Sequence, residues 1–275
     1  MSVFTLSPQF IATGLAGGLA IGLTGMGGGA VLTPVLLALG VPASTAVGSD
    51  LVASLFIKPV AGSVHASAKT VRWDLVRWLC VGSIPAGLAG SLVSNRLTGS
   101  NEGTLKRLIG TTLVVAALAM FARSFLAARA ARVTRDTGAG SSAPPVRPVV
   151  ATALRPTARP ALTIALGVVG GLLVGLTSVG SGSLMVVVMS LLYPSLSPKT
   201  LVGTDIVQAV PLVAAAAFGH VLLGNFRLGL TGALLIGGIP GAWVGARLSA
   251  GRATRVVRPA LITLLVATGT KLVLA

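Results

Sequence analysis

The chain has 275 residues, of which 53% are hydrophobic and 9% charged, and its mean hydropathy is +0.93. No soluble domain of this length hides that much apolar surface, so the composition excludes an ordinary globular fold and points to several membrane-spanning helices. The net charge of +16 does not signal nucleic acid, because Arg and Lys gather at segment ends and in one polar stretch, and aromatic stacking platforms are few.

Met1 to Phe10 carries no basic leader pattern, so no cleaved signal peptide is expected. The first apolar stretch, about 9–40, is too long for one ordinary span and contains Gly22-Leu23-Thr24-Gly25-Met26-Gly27-Gly28-Gly29. Each glycine costs a helix roughly 1 kcal/mol relative to alanine. Two short half-helices meeting at a glycine turn are therefore expected, the second beginning near Ala30. Unwound backbone at membrane depth must be buried in protein or line a polar cavity, and a helix start there favours anions. Thr24, Gly27, Gly28 and Gly29 are candidate substrate contacts; close helix packing through small residues is the competing explanation.

The second stretch, about 43–66, places Asp50, Ser54, Lys58 and His65 on one helical face. Ionisable groups at membrane depth are costly and normally mark a pathway or pair with one another. Asp50 and Lys58 are separated by about 12 Å of helix rise, so their partners are expected on other helices. Asp50 is also suited to capping the broken backbone nearby, and His65 to bonding a terminal carbonyl. The third stretch, about 74–96, holds Gly82-Ser83-Ile84-Pro85, a kink with room for close packing, and the single cysteine, Cys80, which supports neither a disulfide nor a cysteine metal site. A fourth follows at about 104–125. A polar Arg/Pro/Ser-rich stretch over 129–160 then reads as a flexible cytoplasmic linker.

The second half repeats the first, with stretches at about 161–193, 199–223, 227–249 and 256–274. The glycine run returns as Gly175-Leu176-Thr177-Ser178-Val179-Gly180-Ser181-Gly182 at an offset of 153. Val47-Gly48-Ser49-Asp50 returns as Val202-Gly203-Thr204-Asp205 at an offset of 155, as do His65 (His220) and Ile84-Pro85 (Ile239-Pro240). Thr177, Ser178, Gly180, Ser181, Gly182 and Ser183 join the substrate candidates, and Asp205 and His220 join Asp50 and His65 as candidate coupling or pathway groups. Lys58 has no counterpart: Val213 stands in its place. If each long first stretch turns back rather than crossing, the repeats are inverted and most arginines fall on one side, although Arg96, Lys106 and Arg107 fall on the other. Five acidic residues, no HExxH and no GxxxxGK[ST] leave little for an enzyme and exclude ATP hydrolysis.

The ordered series Gly25-Met26-Gly27-Gly28-Gly29, Pro34, Ala46 to Asp50, Lys58, His65 and Gly82 to Pro85, with its second copy, resembles the TauE/SafE sulfite exporter family. The resemblance implies a bacterial inner-membrane permease for sulfite, sulfonates or related small anions. The expected fold is an all-α polytopic membrane protein with two homologous halves, 1–128 and 161–275, joined by the 129–160 linker. Each half is expected to hold a re-entrant, glycine-broken helical pair and three transmembrane helices. The expected function is secondary transport of a small anion by alternating access, with proton coupling open; the alternatives are a passive anion channel, or an integral membrane enzyme or assembly subunit. No metal, cofactor or nucleic-acid partner is expected, and a homodimer is one assembly open to the chain.

Overall fold

The structure is a computed structural model that describes residues 7–24, 28–67, 71–100, 102–136, 159–182, 184–248 and 253–274, and among them it is built of helices. The first half comprises α1 (Pro8–Thr24), a 3-10 turn (Gly28–Ala30), α2 (Leu32–Ala38), α3 (Ala43–Ser67), α4 (Trp73–Ser100) and α5 (Glu102–Asp136). The second comprises α6 (Pro160–Thr177), α7 (Leu184–Leu192), α8 (Pro198–Leu222), α9 (Leu228–Leu248) and α10 (Ala253–Leu274). Both over-long apolar stretches are broken at their glycine runs, as the cost of glycine in a helix requires. Helix α5 continues to Asp136, into the stretch over 129–160 expected as a linker. The Ala- and Arg-rich run after Leu126 is made of strong helix formers, which accounts for the extension. Residues 137–158 lie outside the described residues.

Each broken pair folds back on itself. The Tyr193 hydroxyl, just past α7, lies 2.6 Å from Thr163 Oγ1 and accepts the Arg159 backbone N–H at 3.0 Å, so the end of α7 sits beside the start of α6. Midway along the hairpin Gly170 faces the Met185 methyl group, and Gly17 faces Leu32 at the matching place between α1 and α2. Pro160 and Pro198 open α6 and α8 at positions where no backbone donor is needed, and Ser197 caps α8 by accepting the Thr200 N–H.

The two halves interlock, because the long helices pair across them. Gly14, Gly18 and Gly22 of α1 lie on the backbone of Leu234, Gly238 and Ala242 of α9. Gly167, Gly171 and Gly175 of α6 lie in the same manner on Leu79, Ser83 and Gly87 of α4. A Cβ at any of these six would stand 2.1–2.5 Å from a carbonyl oxygen, so only glycine permits the approach. In both pairs residue numbers rise together, so α1 runs parallel to α9 and α4 parallel to α6. Ser83 and Gln208, then Ser91 and Gly219, likewise align α4 parallel to α8.

The helices matched by the repeat behave differently. Gly62 faces Ile206 and Gly48 faces His220, so α3 and α8 run antiparallel. Gly110 meets Gly269 and Leu272, and Gly269 meets Val114, so α5 and α10 do the same. Trp73–Leu97, Pro160–Thr177, Lys199–Leu222 and Leu228–Leu248 are long and apolar enough to cross a membrane. Exposed Phe56, Val81, Leu118, Val169, Leu191 and Phe218 on the outside suit a hydrocarbon surrounding. Arg247 stacks 3.7 Å over the exposed Trp243 ring at the end of α9, an arrangement suited to a membrane–water boundary.

Candidate functional site

The two broken turns meet at the centre of the interlocked bundle. A Cβ on Gly29 would stand 1.7 Å from the Ser178 carbonyl oxygen, so one hairpin tip rests directly on the other. The second tip is shaped by left-handed backbone: Ser178 has φ 60, Gly180 φ 124 and Gly182 φ 93. Gly180 and Gly182 adopt these angles freely, whereas a serine in this region carries a penalty of roughly 1 kcal/mol.

The Ser178 strain is offset by what its side chain does. Ser178 Oγ donates to Asp50 Oδ2 at 2.8 Å, Thr33 Oγ1 donates to the same oxygen at 2.7 Å, and Ser54 Oγ donates to Asp50 Oδ1 at 3.1 Å. A fully buried carboxylate on α3 is thereby held by three hydroxyls, from its own helix, from α2 and from the opposite half. Such donors favour the ionised form. Asp50 does accept bonds beside the broken backbone, but through side-chain hydroxyls.

Lys58, two turns further along α3, is 4% exposed and is the one buried cation among the described residues. Its Nζ donates to Ser181 Oγ at 2.8 Å, and Ser181 belongs to the second hairpin tip. The carboxylates that act on it are Asp205, more strongly, and Asp50. Because α3 and α8 are antiparallel, Asp50 and Asp205 lie towards opposite ends of their contact, with Lys58 between. An ammonium offers three N–H donors, and one is satisfied among the described residues.

The other sequence candidates fall into two groups. Thr177 bonds the Leu173 carbonyl at 2.7 Å and accepts the Val179 N–H at 3.2 Å, which makes it a cap of its own turn. His220 is fully buried and its Nε2–H donates to the Gly175 carbonyl in the last turn of α6 at 3.0 Å, about 22 Å of helix rise from Asp205. Gly28 lies in the 3-10 turn; Gly27 and Ser183, and the side chains of Thr24 and His65, lie outside the described residues. The half-helix after the first turn starts at Leu32 and is seven residues long, so it presents little dipole of its own.

Sequence reasoning missed Thr33 and Gln208. Gln208 is fully buried on α8 and donates from Nε2 to Ser83 Oγ at 2.7 Å. The signal was available as a break in the repeat. At the positions matching Thr33, Ser54, Lys58, Ser178 and Ser181 the other half has Val186, Ala209, Val213, Gly25 and Gly28. Gln208 and Ser83 likewise match Ala53 and Gly238. Symmetric polar residues do structural work instead: Ser49 Oγ accepts the Arg227 N–H at 3.2 Å, and its match Thr204 accepts the Arg72 N–H at 3.0 Å. The duplicated scaffold thus carries this polar cluster on one set of positions and not on their matches.

The comparisons with known proteins agree with a membrane transporter. The chain is 35% identical over 271 residues to the Probable membrane transporter protein YjnA of Bacillus subtilis, covering 98% of this chain and 100% of that protein. It is 27% identical to the Probable membrane transporter protein YunE of the same organism, over 87% of this chain and 86% of the relative, and 25% identical to YdhB, over 84% and 86%. No solved structure matches the chain. The family model for the sulfite exporter TauE/SafE matches residues 10–272, and with its apolar helices and interlocked repeats the chain, a multi-pass membrane protein, belongs to that family.

Proposed function

We propose that this protein is a secondary transporter of a small anion, with sulfite or a sulfonate as the leading substrates, working by alternating access. Lys58 carries the reading: a buried ammonium, one of its donors on Ser181, at the point where two broken-helix tips meet. A buried cation with donors to spare is costly unless an anion completes its shell. Hydroxyls at the second tip and backbone freed by the glycine turns add hydrogen-bond donors in the same place.

Alternating access draws support from the symmetry. Helices α3 and α8 match each other in the repeat yet run antiparallel, and so do α5 and α10. A two-fold operation that reverses a helix has its axis across that helix, hence in the membrane plane for helices that span the bilayer. In this reading the halves are inverted repeats, and their hairpins enter from opposite faces to meet at Gly29 and Ser178. Arg72, Arg77, Arg247 and the linker then fall on the cytoplasmic side, as basic loops prefer. Rocking one set of helices against the other would open Lys58 to each side in turn.

Flux into proteoliposomes tests the function, using sulfite, thiosulfate, isethionate, sulfoacetate and simple carboxylates against amines. Anion flux is expected, and Lys58→Gln should lower it by at least about tenfold, the scale of one lost charge-assisted hydrogen bond. Transport of amines without transport of anions would refute the assignment.

A further inference from the structure

The polar centre holds more buried negative charge than an anion site tolerates. Helices α3 and α8 bring Asp50, Lys58 and Asp205, two carboxyls against one ammonium, all at most 4% exposed. An anion docked on Lys58 with both carboxyls ionised would leave two buried negative charges in excess, each without a compensating partner. Neutralising one carboxyl removes half of that excess.

The two carboxyls are not equivalent. Asp50 has three hydroxyl donors, from Thr33, Ser54 and Ser178, and each of them favours its ionised form. The positions that match those donors around Asp205 are Val186, Ala209 and Gly25, which carry no hydroxyl. Asp205 keeps interactions of its own, and of the two carboxylates it acts more strongly on the charge of Lys58. One helical turn along α8 stands Gln208, on the same face at a spacing of three residues. Its amide N–H is spent on Ser83, while its buried carbonyl Oε1 has no donor among the described residues. A neutral carboxyl needs such an acceptor and an ionised one does not.

Resting on the anion reading above, we infer that Asp205 is the coupling group: it takes up one proton when the anion binds Lys58, and its O–H then donates to Gln208 Oε1. The anion competes with Asp205 for the positive charge of Lys58, so each ligand raises affinity for the other by the same factor. The step is a protonation of carboxylate to carboxylic acid, reversed on the far side when the anion leaves. Asp50 remains ionised throughout as a positioning residue for the two tips.

The other ionisable groups around Asp205 are accounted for. Helices α6 and α7 have none. On α4 the nearest are Arg72, which precedes it, and Asp74, already paired with each other beside Thr204, followed by Arg77 and Cys80. On α8 itself Lys199 is exposed and His220 bonds Gly175 at the far end. On α3, besides Asp50 and Lys58, there is His65, whose side chain lies outside the described residues.

The test uses isethionate, a sulfonate monoanion with no titrating proton near neutral pH, and the full-length protein. In weakly buffered detergent solution, adding isethionate to wild type should take up close to one proton per bound anion, read with a pH dye. Asp205→Asn should take up none, and Asp205→Glu should take it up with a shifted pH midpoint. Gln208→Leu, which leaves both carboxyls in place, should move that midpoint to lower pH. In proteoliposomes one pH unit should drive up to about tenfold accumulation by wild type, the limit for one proton per monoanion. The residual flux of Asp205→Asn should ignore the gradient. Proton uptake that persists in Asp205→Asn, or wild-type binding without uptake, overturns the inference. Absence of isethionate binding and of flux for every anion in wild type would instead overturn the anion reading beneath it.

Discussion

Ser178 shows how a strained residue and a buried charge support one another. Its left-handed backbone, φ 60, aims Oγ at Asp50, and the bond it makes holds the hairpin tip on α3. Both Ser178→Ala and Ser178→Gly remove that donor, at a cost of about 1–3 kcal/mol because a buried carboxylate loses a partner. Glycine also relieves the backbone penalty, so Ser178→Ala should unfold at the lower temperature, by the equivalent of roughly 1 kcal/mol. Equal stability of the two variants in detergent thermal unfolding would show that the left-handed backbone at Ser178 carries no penalty. At this scale Asp50, Lys58, Ser178 and Ser181 were legible, because a charge in an apolar helix and a hydroxyl in a glycine run are local anomalies. Thr33 and Gln208 were not, because an isolated Thr or Gln in a helix is unremarkable until its neighbours are known. What exposes them is the identity of the matching position in the other half.

Helix pairing in this molecule is decided by where side chains are missing. The glycine rows of α1 and α6 are spaced four residues apart, on one face, and each is covered by a helix of the other half at carbonyl contact. Gly18→Ala and Gly171→Ala should therefore each destabilise the protein by about 1–3 kcal/mol through overpacking. A control lies on α9, where Gly232 has open space around it. Gly232→Ala should be neutral or stabilise by up to about 1 kcal/mol. Thermal unfolding of the three variants checks the contrast, and a loss at Gly232 equal to that at Gly171 would show that carbonyl contact does not govern these sites. The helices themselves were readable from apolar length and the glycine breaks. Their partners were not, since periodicity reports which face of a helix is small or apolar but not what covers it. That α1 pairs with α9 rather than with α3 follows only once both halves are folded together.

Orientation in the membrane is a property of the whole molecule, and the antiparallel match of α3 with α8 makes it testable at two surface turns. Leu39 ends the α2 hairpin arm, and Ser195 sits in the matching turn after α7; both are exposed. The α6–α7 hairpin begins and ends at one level, because Tyr193 sits beside Arg159 and Thr163. Ser195 therefore lies on the face where α6 begins, which the proposed orientation puts on the cytoplasmic side. Inverted repeats would send Leu39 to the opposite face. The single native cysteine, Cys80, can be removed as Cys80→Ala, leaving a clean background for Leu39→Cys and Ser195→Cys. A membrane-impermeant maleimide applied to intact cells should label Leu39→Cys at once and Ser195→Cys only after permeabilisation. Parallel repeats would place both turns on one side and label them together. The outcome also bears on mechanism, because Asp50 and Asp205 lie towards opposite ends of the α3–α8 contact. If the turns label from opposite sides, Asp205 faces the cytoplasmic half and Asp50 the outer half. A proton taken up at Asp205 must then be exchanged with the cytoplasm in the inward-open state, so acidifying that side alone should speed anion entry onto Lys58 from within.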